Sequence, residues 1–96
     1  MKEEHTFRFG DAFKKFLKEQ HLDQTFNEKK LISTWNELMG KQIANRTSKI
    51  FIKDRIMYVT LTSAPLKQEL TMAREKVLHL IEEKMGEKII DDVRFL

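Results

Sequence analysis

Residues 49–70, with the sequence KIFIKDRIMYVTLTSAPLKQEL, decide the fold of this chain. Apolar residues alternate with polar or aromatic ones on both sides of Asp54 and Arg55, which predicts two antiparallel strands joined by a two-residue turn. In this register Phe51 lies opposite Tyr58, and the aliphatic residues share the other face of the hairpin. Because an arginine disfavours the positive φ of such a turn, a longer loop with a shifted register is the alternative.

Two amphipathic helices are predicted before the hairpin. An apolar stripe in residues 12–17 predicts a first helix that ends near Gln20. Asp23 is the predicted N-cap of a second and longer helix, which ends at Gly40 because glycine adopts a left-handed conformation easily. Trp35 lies on the apolar stripe of this second helix, so we expect it to be a core residue rather than a surface group that stacks on a base.

A third helix and a last strand are predicted after the hairpin. Ser63 is the predicted N-cap of the third helix, and the apolar stripe of this helix continues to Gly86, which closes it. The tail KIIDDVRFL, residues 88–96, alternates in a way that indicates a strand. The order α-α-β-β-α-β predicts one α+β domain over residues 1–96, with helices on one face of a three-stranded sheet. The crossover through the third helix favours parallel pairing of the last two strands, and residues 1–8 are expected to form a loose N-terminal arm.

The composition narrows the possible classes of protein. The chain has no cysteine, which excludes a disulfide framework, a cysteine-based zinc ribbon and a cysteine nucleophile. The first residues are charged, and no apolar run approaches the roughly 18 residues of a membrane span, so we expect neither a signal peptide nor a membrane anchor. The expected location is the cytoplasm, and no membrane partner is expected.

Catalytic constellations are weak in this sequence. His79 has Glu75 and Glu83 one helical turn away on either side. A lone histidine among carboxylates on a charged helix face usually belongs to a row of solvent-exposed side chains rather than to a metal site. The serines have no base partner that the sequence indicates, and no glycine-rich loop for phosphate binding is present. We therefore expect a protein that is not an enzyme and that uses no cofactor, no metal and no small-molecule substrate.

The excess positive charge is concentrated between residues 41 and 55. This segment contains five basic residues and one acid, Asp54, for a net charge of +4, whereas the whole chain has +3. The five bases are Lys41, Arg46, Lys49, Lys53 and Arg55. Such a cluster favours a phosphate backbone as the ligand, because each neutralised phosphate releases condensed counterions; the alternative is a solvated surface. Lys67 and Arg74, two turns apart on the third helix, are expected to extend the basic surface or to remain solvated.

An aromatic pair lies among these cations in the predicted hairpin. Lys49, Phe51, Lys53 and Tyr58 share the face of the sheet opposite the helices. On such a surface unpaired bases stack on rings, and phosphates contact the neighbouring cations. The alternatives are a cross-strand pair that only stabilises the hairpin, or a pair that the N-terminal helices cover.

Several stretches of the chain, taken in their order and spacing, resemble one bacterial family. They are Gly10 to Phe13, Trp35 to Gly40 (WNELMG), Ile43-Ala44, Thr47, Tyr58 to Leu61 (YVTL), Ser63 to Leu70 (SAPLKQEL) and Val93 to Phe95 (VRF). Together they are similar to the DciA-like proteins, long known as a domain of unknown function, and to a short branch whose members open with a Gly-Asp-Ala-Phe type of first helix. The resemblance covers nearly the whole chain.

This resemblance implies a fold related to the type II KH domain and binding to nucleic acid, with DNA rather than RNA as the expected polymer. It also implies assistance in placing the replicative helicase on DNA, so the helicase is an expected partner. The Gly-x-x-Gly loop by which KH domains clamp a backbone is absent from this sequence, so side chains would supply the backbone contacts. The alternative is a protein-interaction adaptor that binds the helicase or another partner without contacting nucleic acid.

Overall fold

Helices cover one face of a three-stranded sheet in this chain, as the sequence predicts. The computed structural model describes residues 9–96, so the N-terminal arm expected for residues 1–8 lies outside the described residues. The elements are α1 (Phe9–Glu19), α2 (Asp23–Met39), α3 (Lys41–Asn45), β1 (Thr47–Lys53), β2 (Ile56–Leu61), α4 (Ala64–Met72), α5 (Arg74–Met85) and β3 (Asp92–Phe95). The predicted α+β class is confirmed, with a short additional helix, α3, before the hairpin. No helix of residues 9–96 is long and apolar enough to cross a membrane.

The β1–β2 hairpin has the predicted register. β1 pairs antiparallel with β2, and Phe51 lies opposite Tyr58. Asp54 and Arg55 both have positive φ, 52° and 63°, as in a two-residue type I′ turn, so the longer-loop alternative is wrong. β2 pairs in parallel with β3, and Tyr58 is the partner of Arg94 in that pairing. The strand order is β1-β2-β3, so β1 and β3 form the two edges of the sheet.

The core lies between the inner sheet face and the helices. The inner sheet face consists of Ile50, Ile52, Met57, Val59, Leu61, Val93 and Phe95. Trp35 of α2 is fully buried in this core, and its indole Nε1 donates a hydrogen bond to Thr47 Oγ1 at 3.2 Å. Thr47 Oγ1 in turn donates to the carbonyl oxygen of Ile43 at 2.8 Å. A buried indole N–H requires such an acceptor, and the predicted core role of Trp35 is confirmed.

The helix ends follow the sequence signals with one exception. Ser63 caps α4 as predicted, because its Oγ accepts a hydrogen bond from the Leu66 amide at 3.3 Å. Gly40 follows α2 with a φ of 90°, which is a conformation that favours glycine. The prediction of Asp23 as an N-cap was wrong: Leu22 occupies that position without a side-chain cap, and α2 begins at Asp23. The Asp23 carboxylate lies instead in the first turn, where it complements the positive end of the helix dipole.

The predicted third helix is interrupted at one residue. It consists of α4 and α5, which meet at Ala73, where the backbone has a φ of −101° and a ψ of 20°. Backbone hydrogen bonds reach this break from both sides: the Ala73 amide donates to the Glu69 carbonyl of α4, and the Val77 amide of α5 donates to the Ala73 carbonyl, both at 3.0 Å. The Thr71 hydroxyl donates to the Lys67 carbonyl at 2.7 Å, a type of bond that often bends helices. The bend lets α4 pack against β2 and β3, and α5 against β3 and α2.

Candidate nucleic-acid interface

The outer sheet face brings together the hairpin residues that the sequence indicates for binding. Because successive side chains of a strand point to opposite faces, the burial of Met57 and Val59 turns Tyr58 outward. By the same alternation and the observed pairing, the outer sheet face consists of Lys49, Phe51, Lys53, Ile56, Tyr58, Thr60, Asp92 and Arg94. The described helices pack against the inner face, so α1 and α2 do not cover this surface.

The aromatic pair on the outer sheet face is stacked. The ring centroids of Phe51 and Tyr58 are 4.8 Å apart, and the ring planes are inclined by 14°. Lys49 Nζ lies 5.3 Å from the centroid of the Phe51 ring, within the range of a cation–π contact. Each ring therefore gives one of its faces to the other ring and stabilises the hairpin, as one of the alternatives requires. The pair is still accessible, because Phe51 has an exposed fraction of 37%.

Arg94 joins this surface from β3, although it was not among the predicted site residues. The parallel pairing of β2 with β3 makes it the partner of Tyr58. The signal in the sequence is its position between Val93 and Phe95, the two apolar residues whose alternation predicts the strand. If those two side chains are buried, Arg94 must lie on the outer face.

Asp92 connects Arg94 with the predicted residue Arg74 at the β3 edge. Arg74 Nε lies 3.5 Å from Asp92 Oδ1, and Arg94 Nε lies 3.7 Å from Asp92 Oδ2. Two guanidinium groups therefore share one carboxylate, which leaves a net positive charge at this edge. Both arginine side chains are about half exposed, with fractions of 46% and 57%.

A shallow cleft of about 310 Å³ runs along this edge of the sheet. Its lining residues are Thr71, Arg74, Val93, Arg94, Phe95 and Leu96. Lys67 is exposed one helical turn before Thr71, so it lies on the same side of α4 as the cleft. The two residues predicted to extend the basic surface, Lys67 and Arg74, thus lie along the β3 edge, next to the outer sheet face.

Arg55 is separated from the other cations of the hairpin by its hydrogen bonds. Its Nε lies 3.2 Å from Asp91 Oδ1, and its two terminal nitrogens donate to Gln24 Oε1 at 3.1 Å and to the Lys88 carbonyl at 3.3 Å. The Asp91 amide donates to the Arg55 carbonyl at 2.7 Å. These bonds direct the guanidinium toward α2 and the loop before β3, away from the outer sheet face. They also hold Arg55 in its left-handed backbone conformation, which is unfavourable for an arginine.

Lys41 is the first residue of α3 and Arg46 follows its last one, at the opposite end of the hairpin from the turn. Both side chains are exposed. The Arg46 carbonyl accepts a hydrogen bond from the Thr62 amide at 2.8 Å, which holds the start of β1 beside the end of β2. An open cleft of about 550 Å³ lies here, with Gln42, Ile43, Asn45, Arg46, Thr62, Ser63 and Leu66 along its sides. The five bases of residues 41–55 therefore form three groups: two beside α3, two on the outer sheet face, and Arg55 at the turn.

The charged face of α5 carries the histidine considered above. His79 Nε2 lies 3.6 Å from Glu83 Oε2, and both side chains are about 70% exposed, with fractions of 72% and 67%. Across residues 9–96, no group of three or more histidine, cysteine, aspartate or glutamate side chains is arranged to hold a metal ion. The pair is a surface contact in an i, i+4 helical arrangement.

The chain is similar to one protein family and to a curated relative. The model of the family described as Dna(CI) antecedent, DciA, matches residues 8–95. A UPF0232 protein from Corynebacterium glutamicum (strain R) is 37% identical to this chain over 62 residues, which is 65% of this chain and 35% of the relative. The aligned region thus covers about a third of the relative's length. No solved structure matches this chain significantly.

Proposed function

Because this chain belongs to the DciA family, a family associated with helicase loading, we propose that it is a non-enzymatic DNA-binding protein that supports the replicative helicase. The observation that carries the proposal is the outer sheet face, where Lys49, Lys53 and Arg94 surround the stacked rings of Phe51 and Tyr58. Since DNA is the proposed ligand, the cytoplasm is the proposed location.

The spacing of the cations on this surface suits a nucleic-acid backbone. Lys49 and Lys53 lie on either side of Phe51 on one strand, four residues apart, and therefore about 13 Å apart along β1. This distance equals the rise of about four nucleotides along one strand of B-form DNA. Arg94 adds a third cation two strands away, so the surface offers contacts in two directions. Lysine contacts to phosphates position a protein without reading bases, so the proposed binding has low sequence specificity.

The aromatic pair supports a preference for unpaired bases. Phe51 and Tyr58 already stack on one another, and the accessible part of this pair provides an apolar platform between cations. Base stacking on such a platform is tolerant of sequence, because every base has a π-face. We therefore propose that single-stranded DNA binds more tightly than duplex DNA of the same length.

The other predicted binding residues take different parts in this proposal. Lys67 and Arg74 extend the contact along the β3 edge, and Lys41 and Arg46 provide peripheral contacts near α3. Arg55 is assigned to the stability of the hairpin rather than to DNA, because three hydrogen bonds already engage its guanidinium. We retain the relation to the type II KH domain as part of the proposal, with side chains instead of a Gly-x-x-Gly loop as the backbone contacts.

The test is the salt dependence of binding to labelled single-stranded and duplex oligonucleotides, measured by fluorescence anisotropy from about 25 to 300 mM salt. We expect log Kd to rise linearly with log salt concentration. Combined substitution of Lys49→Gln, Lys53→Gln and Arg94→Gln should lower the slope by about 0.7 per lost contact on single strands and about 0.9 on duplex.

A matched control carries Lys29→Gln, Lys76→Gln and Lys88→Gln, which remove the same charge from α2, α5 and the loop before β3. All three side chains are exposed in the described structure. The control should retain most of the slope. If no binding is detected at the lowest salt concentration, or if both variants lose the same slope, the outer sheet face is not a DNA-binding surface.

Helicase support requires a separate experiment. The replicative helicase of the same bacterium, purified and immobilised, should retain this protein, and the protein should increase the amount of helicase bound to single-stranded DNA. Retention by the helicase without any DNA binding would favour the adaptor alternative. DNA binding without retention would contradict the helicase part of the proposal and leave the DNA part intact.

A further inference from the structure

A second basic surface lies between α1 and α2, in the helix layer rather than on the outer sheet face. It is a cleft of about 340 Å³ whose rim carries four lysines and whose floor includes two apolar side chains. The residues that define this lysine cleft are Lys14, Lys15, Lys18, Lys30, Leu17 and Phe26. Asp23 and Glu87 also contact the cleft, so its rim has a net charge of +2 from four bases and two acids.

The cleft exists because α1 is attached mainly to α2. Phe13 of α1 meets Phe26 of α2 edge to face, with centroids 5.3 Å apart and an interplanar angle of 80°. Leu17 is buried, with an exposed fraction of 7%, but it lies outside the main core cluster. A small satellite contact thus holds the two helices and leaves the cleft open beside it.

The hairpin of α1 and α2 also exposes large apolar side chains. Phe16, Leu22 and Phe26 have exposed fractions of 50%, 46% and 41%. Single exposed apolar residues are ordinary on protein surfaces, but here they accompany a concave site of ligand size. A volume of about 340 Å³ lies at the lower end of the range of about 300–1,000 Å³ for binding pockets.

The lysine rim and the apolar floor of the cleft together favour one kind of ligand. All four lysine side chains are exposed, so their ammonium groups are available to anions above an apolar floor. A bare phosphate chain uses the rim but not the floor, and an uncharged apolar ligand uses the floor but not the rim. A peptide in which acidic residues flank a large apolar side chain uses both, because the apolar group enters the cleft while its carboxylates meet the lysines.

We propose that the lysine cleft binds an acidic segment of a partner protein, anchored by one or two large apolar side chains. This site goes beyond the proposed DNA binding, because α2 packs against the inner face of the sheet and α1 packs on α2. The cleft therefore belongs to the helix layer, whereas the outer sheet face is on the opposite side of the sheet. DNA on the outer face and a peptide in the cleft can bind at the same time.

The test uses a fluorescein-labelled peptide of sequence EEDLFEELDE and a matched peptide in which the Leu, Phe and Leu are replaced by Ser. Fluorescence anisotropy with the whole protein should show saturable binding of the first peptide and at least about tenfold weaker binding of the second. Amide shifts in ¹⁵N–¹H spectra should concentrate in residues 14–18 and 26–30. The combined substitution of Lys14→Glu and Lys18→Glu should weaken binding by at least about tenfold.

A charge-matched control, Lys29→Glu with Lys76→Glu, should change peptide affinity less than about twofold, since neither side chain lines the cleft. The outer-face variant with Lys49→Gln, Lys53→Gln and Arg94→Gln should bind the peptide normally, which separates failure of this inference from failure of DNA binding. Equal affinity for the two peptides, or equal losses in the two lysine variants, overturns the proposal. So does competition in which a single-stranded oligonucleotide, or vesicles of phosphatidylglycerol, displace the peptide from residues 14–30.

Discussion

The two faces of the β1–β2 hairpin come from alternating residues of one segment, yet they meet opposite physical demands. On the inner face Met57 and Val59 are fully buried, whereas on the outer face Phe51 retains 37% of its exposure. A shift of the register by one residue would exchange the two sets of side chains, so burial of the inner set also determines which residues face outward. The inner face thus specifies the fold, and the outer face remains exposed.

The largest expected difference between the faces concerns stability. Met57→Ala removes a fully buried side chain and should lower the free energy of unfolding by about 2–5 kcal/mol, because it leaves a cavity in the core. Lys53→Ala on the outer face should change that free energy by no more than about 0.5 kcal/mol. Urea unfolding, monitored by tryptophan fluorescence, measures the free energy of unfolding of both variants. Similar losses in the two variants would contradict the division of the hairpin into a structural and a free face.

The next prediction concerns the hydrogen bonds that join the inner side of β1 to the helices. Thr47→Val removes the hydroxyl that accepts from Trp35 Nε1 and donates to the Ile43 carbonyl. It should cost about 1–3 kcal/mol, because a buried indole N–H and a carbonyl lose their partner. Thr47→Ser is the matched control, since it keeps the hydroxyl, and it should recover most of the loss in the same urea titration.

The sequence predicts the fold wherever a single local pattern decides it. Period-two alternation yields the strands and their register, and Ser63 and Gly86 mark helix ends by chemistry that acts within one turn. Asp23 failed as an N-cap because the Phe26 amide donates to the Leu22 carbonyl at 3.0 Å, so the first helical hydrogen bond begins one residue earlier. The break at Ala73 was missed because the apolar stripe of the predicted third helix continues across it.

The candidate site is less predictable, because contacts between distant parts of the chain determine which charged side chains reach the outer sheet face. Lys53 and Arg55 are two residues apart and carry the same charge. Arg55, however, is hydrogen-bonded to Gln24, Lys88 and Asp91. Arg94 reaches the outer sheet face only through the pairing of β3 with β2. Neither fact follows from charge along the sequence. Local net charge points to residues 41–55 but does not tell which of their side chains are engaged in hydrogen bonds.

The third prediction follows from this difference and compares two substitutions, Arg55→Gln and Lys53→Gln, each of which removes one positive charge. Arg55→Gln should lower the free energy of unfolding by about 1–2 kcal/mol, since it removes three hydrogen bonds from a partly exposed guanidinium, and it should leave the salt slope of DNA binding unchanged. Lys53→Gln should do the reverse, with a slope lower by about 0.7–0.9 and little change in stability. Equal effects of the two substitutions on the slope would show that Arg55 contacts DNA despite its hydrogen bonds.

The smallest expected effect concerns the stacked rings of Phe51 and Tyr58. It tests whether side chains of the outer face contribute to the free energy of unfolding. A double-mutant cycle with Phe51→Leu and Tyr58→Leu should give a coupling free energy of about 0.5–1.5 kcal/mol, the usual contribution of an aromatic pair beyond its area. Leucine keeps much of the apolar contact, so the cycle isolates the ring–ring term rather than the burial of the two side chains.

The same variants separate stacking on DNA from stacking within the hairpin. If bases stack on the pair, each substitution should weaken binding to single-stranded oligonucleotides by about 1–3 kcal/mol while duplex binding, which depends on phosphate contacts, changes much less. A coupling free energy in the unfolding experiment with equal affinities for both kinds of DNA would mean that the rings serve only the hairpin. The cations of the outer sheet face would then carry the binding alone, and the preference for single strands would disappear with the aromatic contribution.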